Sequence, residues 1–381
     1  MADDAVALRK QLHRAAELSG MEERTAALIL HVLEQLGADE VFSGLGGHGL
    51  AALYESGSAG PRLLIRCDLD ALPIDEGTER DDASRTPGVS HACGHDGHMA
   101  IVTEVARTLS ARRPETGSVV LLYQPAEETG TGARSVLDDP RFAKLTPDMA
   151  FALHNIPGRP LGEVITRAGV FASTARSLWV ELTGSTSHAA EPERGVSPAP
   201  ALAEILNVLP GIPAAMPEDG TPALVTVVHA KLGEEALGTT PGHARVVATL
   251  RAGSPDVMTR LSLACREAAA GIAAAHGLRV SMRWSDEFPC VVNDAAAAEI
   301  VERAASAAGV NFRQLDAPFR WTEDFGYFTE LCPSAMFGLG AGVGAAPLHH
   351  PDYRFPDELI PIGARVFLAV IGHVLNVAGS S

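Results

Sequence analysis

Residues 90–98 read SHACGHDGH and bring three imidazoles (His91, His95, His98), a thiol (Cys93) and a carboxylate (Asp96) into nine positions. Cys93 and His95, at C-x-H spacing, can both reach one ion. The thiol could also be a nucleophile, half of a disulfide or inert, and the loop could simply cap a helix starting near His98. Other candidates lie far away in the chain. Glu127 and Glu128 are adjacent acids in QPAEETG; such pairs usually form a solvated turn, but here one could bind metal while the other handles protons. His154 follows MAFAL, and His349 and His350 stand between two prolines. His154 alone would read as a hydrogen-bonded core histidine. A thiolate, a carboxylate and three imidazoles are about what two divalent ions roughly 3.5–4 Å apart require. A metal would itself ionise a thiol bridging them.

Such residues need elements to carry them. Residues 21–37 place Ile29, Val32, Leu33 and Leu36 on one helical face, and residues 98–110 do the same with Val102, Val105, Ala106 and Leu109. Between and after them run short apolar stretches, RLLIRC (62–67), SVVLLY (118–123), MAFAL (149–153) and SAMFGLG (334–340). Near-continuous apolar strands of this kind are buried on both faces, so an α/β domain with a largely parallel sheet is expected. DLDALP, QPAEE and HN directly follow three of these runs, and PLHHP follows the fourth after a glycine-rich loop. The rim beyond the strand ends is where such sheets build sites. From about residue 173 to 284 the pattern changes to several strands and two helices, which reads as an inserted α+β domain. The expected organisation is 1–172, 173–284 and 285–381.

Composition bounds the function. At 381 residues, with 46% hydrophobic and 20% charged residues, the chain reads as a soluble globular protein of about two domains. A net charge of −17 argues against nucleic acid and anionic membrane partners. Five scattered cysteines suggest no disulfide framework, and the N-terminus lacks a secretory pattern; a cytoplasmic location is expected. The apolar stretch 366–377 is too short to span a bilayer and reads as a buried closing helix. There is no P-loop and no G-x-S-x-G elbow, no dinucleotide fingerprint opens a helix after the first strand, and the only three lysines sit beside no motif.

With these residues assembled, the sequence resembles the aminoacylase/carboxypeptidase-like metallopeptidases, and within them the N-acyl-amino-acid amidohydrolase branch that includes hippurate hydrolase and plant auxin-conjugate hydrolases. DLDALPI (68–74), HACGHDGH (91–98), QPAEE (124–128), LHN (153–155), GSTSHAA (184–190), TEDF (322–325) and PLHHPDY (347–353) carry the resemblance, in the family's order. It implies a zinc-peptidase-like catalytic domain with a mostly parallel central sheet and a smaller inserted α+β lid. It further implies metal ligands at Cys93, His95, Glu128, His154 and His349, the last chosen over His350 by the family's leucine–histidine pair. Glu127 would be the general base and Asp70 would orient a ligand histidine. Asp68 falls where related peptidases carry a histidine ligand.

His188 matches a lid histidine that binds the scissile carbonyl oxygen, often from the partner subunit of a homodimer. One departure stands out: Gly238 occupies the place of the family's lid asparagine, so Thr239, Thr240 or Arg251 would have to take over substrate contacts. Arg251 is the preferred partner for a substrate carboxylate, since guanidinium binds carboxylates bidentately. The expected reaction is metal-dependent hydrolysis of small N-acyl amino acids (N-acetyl, N-benzoyl or similar) using two divalent ions. Thiolate and imidazole favour zinc, and carboxylate ligation leaves manganese or cobalt open. A dipeptidase or carboxypeptidase on the same scaffold, a cysteine-nucleophile hydrolase, and a non-catalytic amino-acid- or metal-binding protein are the competing expectations.

Overall fold

The computed structural model describes residues 2–77, 81–216 and 221–375. Two compact units result: Met1–Phe171 with Val291–Ala317 and Glu323–Ser381, and Ala172–Cys290 with Pro318–Thr322.

The first unit is built on an eight-stranded sheet. Its order is Glu40–Leu45, Gly49–Glu55, Ser118–Gln124, Arg62–Asp68, Met149–Ile156, Ser334–Gly340, Val164–Thr166 and Phe312–Gln314. The four strands at its centre, Ser118–Gln124 through Ser334–Gly340, pair in parallel. Three pairings further out are antiparallel, including the hairpin Glu40–Leu45/Gly49–Glu55. Alternate residues Leu63, Ile65 and Cys67, Val119, Leu121 and Tyr123, and Phe151 and Leu153 pack with helices Ala2–Arg14, His95–Ala111 and Leu359–Leu375 in one core. The intervening residues Leu64, Val120, Leu122 and Ala150 are equally buried, which is why the runs read as unbroken apolar text. Arg66 and Asp68 share this second face, in register with Leu122 and Gln124.

The helix after the histidine cluster starts at His95, three residues before the expected start near His98. Gly94, at φ +93°, makes the sharp entry, and a Cβ there would collide with the Asn155 side chain. His95 and His98 therefore stand one turn apart on one helical face. The C-terminal helix likewise starts earlier than read, at Leu359.

The second unit is an antiparallel sheet in the order Arg279–Phe288, Thr174–Thr183, His243–Ala252, Ala223–Leu232. One face, including Leu178, Val180, Val246 and Leu250, packs with helices Ala199–Val208 and Pro255–Ala275. Strands and helices follow one another as β-α-β-β-α-β, the split βαβ motif. A boundary at 284 falls inside the strand Arg279–Phe288, whose ladder to Thr174–Thr183 holds residues up to Phe288 in this unit. Residues 318–322 also return to it, with the Ser173 N–H donating to the Phe319 carbonyl at 3.1 Å.

Helix Ala2–Arg14 is tied to the start of His95–Ala111 by buried charge. His13 Nδ1 lies 2.8 Å from Asp96 Oδ2, its Nε2 is 3.0 Å from Glu76, and Arg9 meets Asp82, Asp96 and Asp357. Burial opposes charge on His13, but Asp96 and Glu76 outweigh it and push the imidazole up to about 9. A folded-state pKa above the unfolded value of about 6.5 stabilises fully below that pH and is lost as pH rises through about 9. The melting midpoint should therefore fall between pH 6.5 and 9, and a His13→Gln variant should show a shallower fall; an unchanged slope would contradict the ion pair.

Candidate metal centre

The candidate ligands of the first unit meet where its central strands end. His95 opens its helix, Glu128 follows strand Ser118–Gln124, His154 lies in Met149–Ile156, and His349 follows Ser334–Gly340 across the glycine-rich loop. Donor atoms of Cys93, His95 and His154 lie within 4.8 Å of one another, as do those of Cys93, Glu128 and His349. Cys93 Sγ is 3.4 Å from His154 Nε2. His95 Nε2 is 3.8 Å from Glu128 Oε1, which is 3.6 Å from His349 Nε2. Ligands about 2.1 Å from a tetrahedral ion stand about 3.4 Å apart, so these spacings suit cation binding.

The imidazoles are also turned correctly. His95 Nδ1 donates to the Asp70 carbonyl at 2.8 Å, and His154 Nδ1 to the Asn155 carbonyl at 2.9 Å. Each ring thus keeps its Nε2 lone pair for the centre. His95 Nε2 and Glu128 Oε1 are buried and have no hydrogen-bond partner among the described residues. Polar atoms orphaned in this way are costly unless a further group satisfies them, and a divalent cation fits both.

Asp70 and Asp68 form the surrounding layer. Asp70 Oδ2 accepts from Ser19 Oγ at 2.6 Å and from the Glu128 N–H at 2.9 Å, while Oδ1 is 3.4 Å from His95 Nδ1. Asp68 Oδ1 accepts from His98 Nδ1 at 2.7 Å, its Oδ2 takes Arg66 at 2.7 Å, and Oδ2 stands 3.8 Å from His95 Nε2. His98, Asn155 and Tyr353 were given no role by the sequence reading; His98 Nε2 contacts Asn155 Oδ1, and the Asn155 amide donates to the Tyr353 hydroxyl at 2.5 Å. Arg66 was missed as well, although an arginine inside an otherwise apolar strand was a legible signal.

Electrostatics separate the two adjacent glutamates. Burial, then Glu323 and Glu128, push the Glu127 carboxyl well above the usual range. Burial also raises Glu128, to about 7, against the pull of His95. Burial and the neighbouring Glu128 and Glu127 push the Cys93 thiol up, and burial drives His154 down. Asp68, Asp70 and Glu128 overcome burial at His95 and raise it to about 10. A divalent cation would reverse this logic, ionising the thiol and discharging His95.

The lid candidates lie in the second unit. His188 is exposed and forms a β-bridge with Thr239, its Nδ1 accepting the Ala190 N–H at 3.0 Å. The Ala189 N–H donates to Gly238 O at 3.0 Å, and Thr240 Oγ1 bonds Ser187 Oγ at 2.9 Å. Thr239 and Thr240 line a cavity of about 580 Å³. Arg251 is not brought beside them. It stands near the far end of strand His243–Ala252, eight residues and therefore about 26 Å from His243.

Sheet, strand-end donors and orphaned imidazole together define a metallopeptidase-like chain. The sequence model of peptidase family M20/M25/M40 matches residues 64–373, and the chain belongs to this family. It is 29% identical over 360 residues to N-acetyldiaminopimelate deacetylase of Exiguobacterium sibiricum, covering 94% of this chain and 95% of that protein. It is 31% identical over 365 residues to N-acetyl-L-cysteine deacetylase of Bacillus subtilis, covering 95% and 86%. Among solved structures, the Bacillus subtilis YXEP protein, described as a dinuclear metal binding peptidase from the M20 family, superposes with a TM-score of 0.83 at 27% identity, covering 99% of this chain and 98% of that one.

Replacing Glu128 should leave a site short of one carboxylate. Glu128→Ala, loaded with zinc and dialysed, is expected to retain at most one ion per chain against two in the parent, by elemental analysis. Two ions retained in the variant would remove Glu128 from the ligand set.

Proposed function

We propose that the chain hydrolyses the amide bond of N-acyl amino acids, releasing a carboxylate and a free amino acid, at a centre of two divalent ions held by Cys93, His95, Glu128, His154 and His349. The observation carrying this reading is the convergence of these donors beside a second, unconsumed carboxylate, Glu127, whose oxygen lies within 4.8 Å of donor atoms of His95 and Glu128. Binding alone has no use for such a base. The chain is thus a metal-dependent amidohydrolase, and its similarity to two deacetylases of N-acetyl amino acids supports that substrate class.

Bound divalent ions would polarise the amide carbonyl and lower the pKa of water from about 15.7 toward about 7. Glu127 takes a proton from the attacking water as its oxygen adds to the acyl carbon, then gives that proton to the departing amine nitrogen. Asp70 holds His95 and the Glu128 backbone in place. His188 donates to the developing oxyanion, and Arg251 takes the substrate carboxylate. The spacing within the second unit supports a homodimer: an N-acyl amino acid of about 10 Å cannot span the ~26 Å between Arg251 and the strand end leading to Thr240, so His188 and Arg251 at one site come from different copies. Zinc is the ion we assign, from the thiolate and imidazoles, with manganese or cobalt as the alternatives; the cytoplasm is the assigned location.

The 3.4 Å contact between Cys93 and His154 also resembles a cysteine nucleophile with its base. Burial disfavours the thiolate and the imidazolium alike, so this pair is not pre-ionised. A chelator should abolish turnover and a divalent ion restore it; activity that survives complete metal removal would support the nucleophile instead.

The reaction itself is tested on zinc-reconstituted protein with N-acetyl and N-benzoyl amino acids beside dipeptides bearing a free α-amino group. Turnover confined to the dipeptides would assign a dipeptidase. Glu127→Gln should keep both ions and lose about 10²–10⁴-fold in kcat; an active Glu127→Gln would overturn the base assignment.

A further inference from the structure

Residues His13–Glu22, the end of helix Ala2–Arg14 and the connection to helix Glu23–Gln35, precede the region matched by the family model, which starts at residue 64. We infer that this segment is a clasp that positions the catalytic centre, with Glu22 the positioning residue for the turn that carries Glu127 and Glu128. The inference rests on the roles proposed above for those two glutamates.

Three contacts of the segment land on or beside site residues. His13 Nδ1 meets Asp96 Oδ2 at 2.8 Å, one residue after His95. Ser19 Oγ donates to Asp70 Oδ2 at 2.6 Å, the same oxygen that accepts the Glu128 N–H at 2.9 Å. Glu22 Oε1 accepts the Ala126 N–H at 2.8 Å, directly before Glu127, and the Gly20 N–H at 2.8 Å.

The third contact bears on the base itself. Ala126 has φ +51°, in the left-handed region that a residue with a Cβ enters only when its surroundings impose it. Its N–H is fixed by Glu22 and its carbonyl by the Gly132 N–H at 3.1 Å. Gly132 is itself constrained, because a Cβ there would stand 1.6 Å from the Pro125 carbonyl oxygen. Were Ala126 to relax to negative φ, the chain beyond it would rotate and carry both glutamates off their partners. Glu22 is fully buried and its Oε2 has no hydrogen-bond partner among the described residues. An aliphatic side chain would fill that space without an unsatisfied oxygen, so packing does not account for a carboxyl here. What the carboxyl supplies is an acceptor aimed at the strained peptide.

The test uses the zinc-reconstituted full chain on an N-acyl amino acid that the parent hydrolyses. Glu22→Ala should lower kcat about 10–100-fold, the scale of a ~1 Å displacement, with KM within about twofold. Glu22→Gln keeps the acceptor oxygen and should stay within about threefold of the parent. Glycine takes positive φ without strain, so Ala126→Gly in the Glu22→Ala background should bring kcat back to within about fivefold. Parent-like kcat in Glu22→Ala would overturn the inference. So would a loss that neither glutamine nor Ala126→Gly restores, or a lowered melting midpoint with kcat per metal-loaded molecule unchanged.

Should Glu22→Ala fail to fold, Ser19→Ala removes only the hydroxyl on Asp70. It should lower kcat about 3–10-fold at constant KM, on the same positional argument, and an unaltered kcat would overturn the clasp. Failure of the Glu127 assignment reads differently, because Glu127→Gln then stays active whatever Glu22 does.

Discussion

One buried guanidinium holds the strand ends together. Arg66 donates from Nε to Gln124 at 2.9 Å, from one terminal nitrogen to Asp68 at 2.7 Å, and from the other to Glu323 and Asp324 at 2.9 Å each. Asp324 in turn accepts from the Gln124 amide at 2.9 Å and the Ala133 N–H at 2.8 Å. Burial opposes the charge on Arg66, yet Glu323, Asp68 and Asp324 hold its pKa well above the ordinary guanidinium range. A planar fork with five donors is the side chain able to do this; a lysine would offer a point charge and no fixed geometry. Through Asp68 the fork reaches His98, and through Gln124 it reaches the strand end from which Glu127 and Glu128 project.

The same region is short of positive charge. Asp68, Glu127, Glu323 and Asp324 crowd around one arginine, all of them buried, and Asp70 and the partly exposed Glu128 stand beside His95. Burial, and after it like carboxyls such as Glu323, resist ionisation, which is why Glu127 and Asp324 are pushed up, Asp324 to about 8 against the pull of Arg66. Two divalent ions would supply the missing charge, and the imidazole tautomers fixed by the Asp70 and Asn155 carbonyls leave lone pairs facing them. Arg66 and the His13–Glu22 segment, which supply none of the proposed ligands, both contact residues next to them. Preorganisation of this kind is what a reaction dependent on sub-ångström placement needs.

Much of this was legible in the sequence wherever a pattern is local. The central strands announce themselves as unbroken apolar runs because both faces are covered, and polar residues directly after them mark the rim. SHACGHDGH and QPAEE stood out as candidate ligand text because the donor types are dense there, and the donors of Cys93, His95 and Glu128 do come together in the fold. The helix start was misplaced by three residues because Gly94, with positive φ, lets the helix begin inside the cluster. The hairpin Glu40–Leu45/Gly49–Glu55 and helix Ala2–Arg14 were not identified. Ser19 and Glu22 were invisible for another reason: their partners are a side chain and a backbone N–H about 50 and 100 residues away, and single tertiary hydrogen bonds leave no periodic trace. The separation of Arg251 from Thr239 and Thr240 became measurable only once the strand between them was laid out.

The account stands on five donors, from four separate segments of the chain, sharing two ions. Anomalous X-ray scattering at the zinc edge, from crystals of the zinc-loaded protein, tests this most directly. Two peaks are predicted, about 3.5–4 Å apart, with Cys93 Sγ, His95 Nε2, His154 Nε2, His349 Nε2 and a Glu128 oxygen at about 2.0–2.4 Å. Peaks elsewhere, or a single ion with Cys93 or Glu128 turned away from it, would contradict the account.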